Sequence, residues 1–234
     1  MTNIRAVNSR DRQALRSVAA LLVSSIFLAG CASTPSDPFE GYNRAMSTFN
    51  NGVDRLLLKP AATGYRNFVP APVAASVTRA FANLADPWTA TNQLLQGRIS
   101  YAGNDASRFI VNSTLGVAGL FDVATRLGLP KHNEGFDQTL AVWGVPQGPY
   151  IVLPMLGPSS GRGLFGQLTG NFGGDLGQPL RLVDNVPIRN SLFFTQLVSM
   201  RATLLDRPPF PPQADQYSLL RDFYLRRVEQ QVAQ

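Results

Sequence analysis

The chain beyond residue 36 opens with apolar and polar positions arranged at the period of an α-helix. Asp37, Pro38 and Glu40 are residue types typical of an N-cap, a first helical position and a third helical position. We therefore predict a helix that begins here and buries one apolar face. That face carries Phe39, Tyr42, Met46, Phe49, Val53 and Leu56, which recur at spacings of three and four residues.

The same periodicity, interrupted by prolines and glycines, predicts a succession of further helices. We expect Lys59-Pro60 to interrupt the first helix, and Asp86-Pro87 to end one helix and start the next, because proline lacks a helical amide hydrogen. Asn104 or Asp105 is expected to cap a later one. Few segments alternate strictly, so the predicted fold class is mainly α. The predicted helices cover residues 61–68, 73–86, 86–97, 104–116, 120–127, 136–143, 187–204 and 216–232.

One segment does not follow this pattern. From Gln138 to Gly174 the only charged residue is Arg162, and the segment holds four prolines and nine glycines. It is long enough to cross a bilayer, since ~20 apolar residues suffice, but its prolines exclude a continuous helix. We expect a short strand or an extended run at residues 150–153, and loops and broken turns over 161–177. Such a segment lies either in a core or at a membrane.

The start of the chain has the features of a bacterial lipoprotein signal. A basic stretch precedes the apolar run 18–28, which is too short to span a membrane. Leu28-Ala29-Gly30-Cys31 then resembles a lipobox, in which the cysteine is acylated after cleavage. We therefore expect residues 1–30 to be a signal peptide, residues 31–36 a lipid-anchored tether and residues 37–234 the folded domain. An ordinary signal peptide is the alternative. Ala32 follows the cysteine, which indicates the outer membrane, on its periplasmic side.

Composition narrows the classes of function. The formal net charge is +6, but half of it belongs to the predicted signal peptide, so nucleic-acid binding is not indicated. Charged residues make up 15% of the chain, against about 25% in an ordinary soluble domain. This shortage of charge favours a protein whose surface contacts a membrane. The alternative is a large soluble protein rich in glycine and proline. Cys31 is the only cysteine, so an internal disulfide is impossible.

Three short patterns resemble enzyme motifs but lack the required context. Ser159 lies in a G-x-S-x-G pattern, yet the only histidine, His132, precedes it, and we expect no helix after it. The G-x-G-x-x-G pattern of residues 161–166 lacks a clear strand before it and a helix after it. His132 with Glu134 and Asp137 is a poor zinc site, because a second histidine or a cysteine is missing. We therefore predict no catalytic residues, no metal and no cofactor.

Taken together, several motifs resemble the MlaA family of lipoproteins, also called VacJ. The resemblance begins with D-P-F-E-G-Y-N-R at residues 37–44 and covers nearly the whole predicted mature chain. Its most specific run links Arg108, Asn112, Gly116, Gly119 and Asp122. Further matches are N-L-x-x-P at 83–87, L-Q-G at 95–97, F-x-Q-T-L at 136–140, W-G-V at 143–145, the run from 148 to 159, and two C-terminal runs, 201–206 and 215–224. Departures are Asp137 for the common glycine, Gly163 for aspartate and Gln216 for proline.

This resemblance implies a single helical ring-like domain with a central amphipathic channel, embedded in one membrane leaflet, with little or no β-structure. It implies a non-enzymatic lipoprotein that removes mislocalised phospholipids from the outer leaflet and so maintains outer-membrane lipid asymmetry. The expected partners are phospholipid, a trimeric outer-membrane porin and the periplasmic lipid carrier MlaC. A structural envelope lipoprotein and a Ser159-dependent lipid esterase are the alternatives.

The same resemblance indicates which residues to look for. Cys31 would carry a covalent diacylglyceryl group and an N-acyl lipid. The polar side of the channel is expected near the glycine-rich segment. The candidate channel residues are Arg162, Asn171, Phe172, Gly173 and Gly174.

Overall fold

The computed structural model describes residues 37–172, 177, 179–206 and 215–232. These residues form nine α-helices and one two-stranded sheet, so the prediction of a mainly α fold is confirmed. The predicted signal peptide, the tether and Cys31 lie outside the described residues. The helices are α1 Glu40–Val53, α2 Lys59–Phe68, α3 Ala71–Leu95, α4 Ile99–Thr114, α5 Val123–Arg126, α6 Phe136–Val142, α7 Gly161–Phe172, α8 Val186–Ala202 and α9 Gln216–Val232.

The first helix begins later than its sequence predicts. Phe39 is the N-cap of α1 and makes no side-chain capping bond. Asp37, predicted as the cap, is instead fully buried. Its carboxylate accepts hydrogen bonds from Asn43 Nδ2 at 3.0 Å, from Arg221 at 3.4 Å and from the Tyr217 hydroxyl. The Asp37 side chain therefore makes long-range hydrogen bonds instead of the local capping bond that the motif predicts.

Lys59-Pro60 does not interrupt the first helix, contrary to the prediction. A π-helical turn, Asp54–Leu58, joins α1 to α2, and the Lys59 amide donates to the Asp54 carbonyl. The wider turn moves the hydrogen-bond register by one residue, and Pro60 then falls in the first turn of α2, where an amide hydrogen is not needed. Arg201 of α8 holds Asp54 through contacts of 2.6 and 2.9 Å.

Asp86-Pro87 also fails to end a helix, and α3 runs through it as one element. Buried side chains beside the proline hold α3 in place: Asn83 donates to Ser113 Oγ of α4 at 2.9 Å, and Asp86 pairs with Lys131. The next helix, α4, likewise begins before its predicted caps. Asp105 lies inside it, fully buried, with one carboxylate oxygen 3.0 Å from His132 Nδ1.

The glycine-rich segment contains a hairpin and a helix rather than loops. Strands β1 Tyr150–Leu153 and β2 Gly157–Ser160 pair antiparallel, with Tyr150 opposite Ser160, and α7 follows directly. The amides of the first turn of α7 all find acceptors: Gly161 donates to the Pro149 carbonyl, Arg162 to the Gln147 carbonyl and Gly163 to Ser160 Oγ, each at 3.0 Å. These contacts offset the entropy that the glycines of α7 lose in a helix.

Two asparagines of α1 satisfy the outer edge of β1. Asn43 donates to the Tyr150 carbonyl at 3.1 Å and accepts from the Val152 amide at 2.8 Å. Two helical turns further on, Asn50 donates to the Leu153 carbonyl at 2.9 Å and accepts from the Met155 amide at 2.7 Å. Helix α1 thus occupies the place of a third strand, and its two asparagine side chains pair with the backbone amides and carbonyls at the edge of the hairpin.

Burial in this fold is inverted relative to an ordinary soluble domain. Among the described residues, buried polar and charged residues outnumber buried hydrophobic ones, while many large apolar side chains face outward. Phe68 is 88% exposed, Leu56 85% and Ile99 74%. In the part of the chain that the structure covers, no helix is both long and apolar enough to cross a membrane.

Asn43→Ala should destabilise the fold strongly. The substitution leaves the Tyr150 carbonyl, the Val152 amide and one Asp37 oxygen without their partner, and each buried unpaired group costs about 1–3 kcal/mol. We expect a loss of about 2–4 kcal/mol in urea unfolding of the detergent-solubilised protein. Asn51→Ala, at an exposed position of the same helix, is the control and should change stability by less than about 0.5 kcal/mol. Equal stabilities would refute the role given to Asn43.

Candidate functional site

A cavity of about 350 Å³ lies where α6, α7 and α9 meet, closed on one side by Trp88 of α3. Its volume lies at the lower end of the range for ligand pockets, about 300–1,000 Å³. Apolar and polar groups both line it, so its wall is amphipathic. The lining residues are Trp88, Gly135, Phe136, Asp137, Gly163, Gly166, Gln167, Gly170, Gly177, Tyr224, Arg227, Val228 and Gln231.

Glycines on one face of α7 set the width of this cavity. A Cβ atom on Gly166 would lie 2.7 Å from both the amide nitrogen and the Cβ of Asp137, so α6 and α7 touch through backbone at that point. A Cβ on Gly163 would lie 2.9 Å from the Tyr224 hydroxyl and from Ser159 Oγ. At Gly170 the nearest atom, Trp88 Nε1, would be 3.8 Å away. The helices therefore close at one end of the cavity and leave room at the other.

The polar part of the wall comes from three helices. Asp137 lies in the first turn of α6, Gln167 in α7, and the exposed Arg227 in α9. Burial raises the pKa of the Asp137 carboxyl, whereas hydrogen bonds from backbone amides and the charge of Arg162 act to lower it. The Gln167 amide nitrogen donates to Ser159 Oγ at 3.4 Å, and its Oε1 is buried without a hydrogen-bond partner.

The residues predicted for the channel lie close to this cavity or outside the described residues. Arg162 is buried in the first turn of α7, and its guanidinium donates to the Val145 carbonyl at 3.0 Å. It does not line the cavity, although its charge acts on Asp137. Asn171 and Phe172 end α7, but their side chains lie outside the described part of the chain, as do Gly173 and Gly174. Their roles, like that of Cys31, stay predictions.

Sequence reasoning missed most of the lining, because its members come from four separate helices. Trp88, Asp137 and Arg227 belong to three different predicted elements, and no local motif joins them. One signal was present: the glycines at 163, 166 and 170 recur at helical spacing, which marks a face where another backbone can approach.

A second polar cluster explains the most specific sequence run. Buried Arg108 of α4 contacts Asp122 at 3.1 Å and Thr125 Oγ1 at 3.0 Å, and donates to the Leu129 carbonyl. Asn112 donates to Asp122 at 3.2 Å and accepts from the Ala124 amide at 2.9 Å. This network fixes the turn between α4 and α5, so the residues of that run have a structural role.

The glycines of the same run are required by close approach. A Cβ on Gly116 would lie 2.2 Å from the Phe121 carbonyl oxygen. Gly119 has φ +83° and stands against Asn83, whose Cβ would be 2.6 Å from an added one. Both spacings in the run therefore have a steric cause.

The enzyme-like patterns do not assemble into a site among the described residues. Ser159 is fully buried and its hydroxyl donates to the Ser160 carbonyl, while His132 contacts Asp105 of α4. The predicted absence of a helix after Ser159 is wrong, because α7 begins at Gly161, but Ser159 has no histidine partner. Within the described ranges, no group of three metal-ligating side chains occurs.

Gly166→Ala should push α6 and α7 apart, because the new methyl group would lie 2.7 Å from the Asp137 backbone. Overpacking of this kind costs about 1–3 kcal/mol. We expect a lower midpoint in urea unfolding for this variant. Gly170→Ala is the matched control, since it meets nothing closer than 3.8 Å and alanine favours a helix by up to ~1 kcal/mol. Equal effects of the two substitutions would contradict the packing described here.

The sequence and the fold both match known proteins. The family model described as MlaA lipoprotein matches residues 35–231. The chain is 32% identical over 222 residues to the intermembrane phospholipid transport system lipoprotein MlaA of Escherichia coli, covering 90% of this chain and 86% of that protein. The protein of the same name in Haemophilus influenzae is 31% identical over 231 residues, covering 92% of this chain and 89% of its own length.

A shorter match and a solved structure complete the comparison. An uncharacterized protein of Rickettsia felis is 40% identical over 136 residues, 58% of this chain, and this chain spans only 54% of it. A chain solved in work on the structural basis for maintenance of bacterial outer membrane lipid asymmetry superimposes with a TM-score of 0.71 at 30% identity. That likeness covers 84% of this chain and 99% of the other. This chain therefore belongs to the MlaA lipoprotein family.

Proposed function

We propose that this protein is an outer-membrane lipoprotein that removes mislocalised phospholipids from the outer leaflet and thereby maintains lipid asymmetry. The lipid would enter a central channel of the domain and leave on the periplasmic side. The named relatives in E. coli and H. influenzae are lipoproteins of an intermembrane phospholipid transport system, which supports this proposal. The chemistry of the described residues adds independent support.

The observation that carries the proposal is the amphipathic cavity between α6, α7 and α9. Trp88, Phe136 and Val228 give it apolar wall, which suits acyl chains, while Asp137 and Arg227 give it charge, which suits a headgroup. A phospholipid requires both kinds of wall along one path. The volume of about 350 Å³ accommodates part of a lipid at a time, as expected for a passage rather than a storage site.

The apolar exterior supports a position within one leaflet. Outward-facing Phe68, Leu56 and Ile99 would be costly in water, because each large apolar side chain left exposed forfeits about 1.5–3 kcal/mol of burial. Acyl chains on Cys31 would add roughly 0.8 kcal/mol for each buried CH₂. A domain held by its anchor and by many apolar side chains needs no spanning helix.

Partners follow from the same proposal. A protein within one leaflet needs access to the opposite one, and a trimeric porin that crosses the whole membrane would provide a route along its wall. A soluble carrier, MlaC, would receive the lipid in the periplasm, because a phospholipid does not cross water unaided. The exposed apolar side chains of the described helices supply surface for both contacts.

Two alternatives differ from this proposal in specific observations. A lipid esterase would require an accessible serine, whereas Ser159 is fully buried and His132 lies with Asp105; such an enzyme would hydrolyse a chromogenic ester. A purely structural lipoprotein would have no use for an amphipathic cavity. Loss of a structural protein would leave the outer leaflet free of phospholipid.

Filling the cavity should stop transport without unfolding the protein. Gly170→Trp places an indole in the open end, where an added Cβ meets nothing closer than 3.8 Å. Cells whose only copy carries this substitution should expose phospholipid at the surface to the same extent as a deletion strain. The measurement is labelling of phosphatidylethanolamine by a membrane-impermeant amine reagent. Leu168→Trp, on the same helix but outside the lining, should complement fully. Full function of an accumulating Gly170→Trp protein would exclude this cavity as the passage.

Cys31→Ala should prevent anchoring, because only a thiol accepts the diacylglyceryl group. We expect the variant to accumulate uncleaved or to lose its outer-membrane position in envelope fractionation, with phospholipid at the surface. Ala32→Ser, next to the cysteine, is the control and should fractionate like the natural protein. An acylated and processed Cys31→Ala protein in the outer membrane would rule out the lipoprotein assignment of this residue.

A further inference from the structure

The polar groups of the cavity are arranged in a way that favours one class of headgroup. Asp137 has no ion-pair partner within 4.0 Å among the described residues, and neither has Arg227. The cavity wall therefore presents one anion and one cation that the protein does not neutralise directly. An unpaired carboxylate in a partly buried wall is costly, so Asp137 points to a ligand that carries a positive charge, while the exposed Arg227 can meet an anionic group of the same ligand.

Asp137 is the more constrained of the two charges. It lies between the N-terminal turn of α6 and the backbone of α7 at Gly166, so it has little freedom to turn away. Arg162 is the cation whose charge acts on Asp137, but its guanidinium donates to the Val145 carbonyl rather than to the carboxylate. The oxygens of this carboxylate can accept further hydrogen bonds, so a ligand that binds Asp137 must carry a hydrogen-bond donor.

Gln167 supplies a second acceptor in the same wall. The Ser159 hydroxyl donates to the Ser160 carbonyl, so it accepts the hydrogen bond from the Gln167 amide nitrogen. That arrangement leaves Oε1 of Gln167 as the free end of the amide, buried and without a partner. A buried unpaired acceptor costs about 1–3 kcal/mol, so it too calls for a donor.

We propose that the cavity selects phospholipids whose headgroup carries a primary ammonium beside the phosphate, as in phosphatidylethanolamine. The ammonium donates to the Asp137 carboxylate and to Gln167 Oε1, and the phosphate faces Arg227. A primary ammonium has three donors for these two acceptors. A choline headgroup has the charge but no N–H, and a glycerol headgroup leaves Asp137 facing a net anion. This inference rests on the proposed function and adds a headgroup preference to it.

The test is lipid competition on the purified, acylated protein in detergent. An equimolar mixture of phosphatidylethanolamine, phosphatidylcholine and phosphatidylglycerol with identical acyl chains is added, and native mass spectrometry counts each protein–lipid complex. We expect the ethanolamine lipid to exceed each of the others by roughly fivefold, as for one partly solvated charge-assisted hydrogen bond. Asp137→Asn should reduce that preference to within about twofold while total lipid binding persists.

Three further variants separate the charge at the site from charge elsewhere on the protein. Asp184→Asn removes the same charge at an exposed position outside the cavity and should keep the full preference. Arg227→Gln should weaken binding of all three lipids alike, since each carries a phosphate. If Asp137→Asn does not accumulate, Gln167→Met tests the same site from α7, because it removes the amide oxygen and keeps the side-chain length.

The outcomes distinguish this inference from the function beneath it. Equal binding of the three lipids by the natural protein, or an unchanged preference in Asp137→Asn, overturns the headgroup assignment and leaves phospholipid passage standing. Failure to bind any phospholipid, together with a deletion strain that exposes none at its surface, overturns both.

Discussion

The fold depends on one buried polar network, in which Asp37 and Asn43 make hydrogen bonds with β1 and α9. Asp37 is fully buried and holds Asn43, Tyr217 and Arg221, residues from opposite ends of the chain. Asn43 passes that connection to the backbone of β1. Burial is the largest cause of a raised pKa for the Tyr217 hydroxyl, and the hydrogen bond to Asp37 is the next largest. The hydroxyl therefore stays protonated and donates to Asp37. Because α9 also forms one wall of the cavity, this network positions the candidate site as well.

This polar interior explains how a small apolar core can suffice. Polar networks at Asp37, Arg108 and Asn92 join the helices, and the larger apolar side chains are left outside. In water such a distribution would favour aggregation. Within a leaflet the apolar exterior would be solvated by acyl chains, and hydrogen bonds made inside the protein satisfy backbone groups of residues 150–155 that water could not reach there. The hairpin edge shows this most clearly, since Asn43 and Asn50 supply the bonds of an absent strand.

Helical periodicity was enough to predict most helices and the mainly α class, but not the breaks. Pro60 and Pro87 are breakers by local rules, yet a π turn and buried contacts at Asp86 carry the helices through them. The glycines of α7 suggested loops, whereas Ser160 and the residues before β1 satisfy the first turn of a helix. The lining of the cavity was beyond sequence reasoning, because Asp137, Gln167 and Arg227 meet only after four helices pack. The local motif identified Asp37 as a structurally important residue, but it predicted helix capping where the structure shows a buried hydrogen-bond acceptor.

The central claim is that phospholipid occupies the cavity between α6, α7 and α9. A photo-crosslinking amino acid at Val228 tests it directly, because this residue lines the cavity and is only 6% exposed, so bulk lipid cannot reach it. The same amino acid at Phe223 of α9, which is 58% exposed, reports lipid around the protein. In cells grown with radiolabelled phosphate, we predict a labelled phospholipid adduct at Val228. An adduct at Phe223 with none at Val228 would contradict the account.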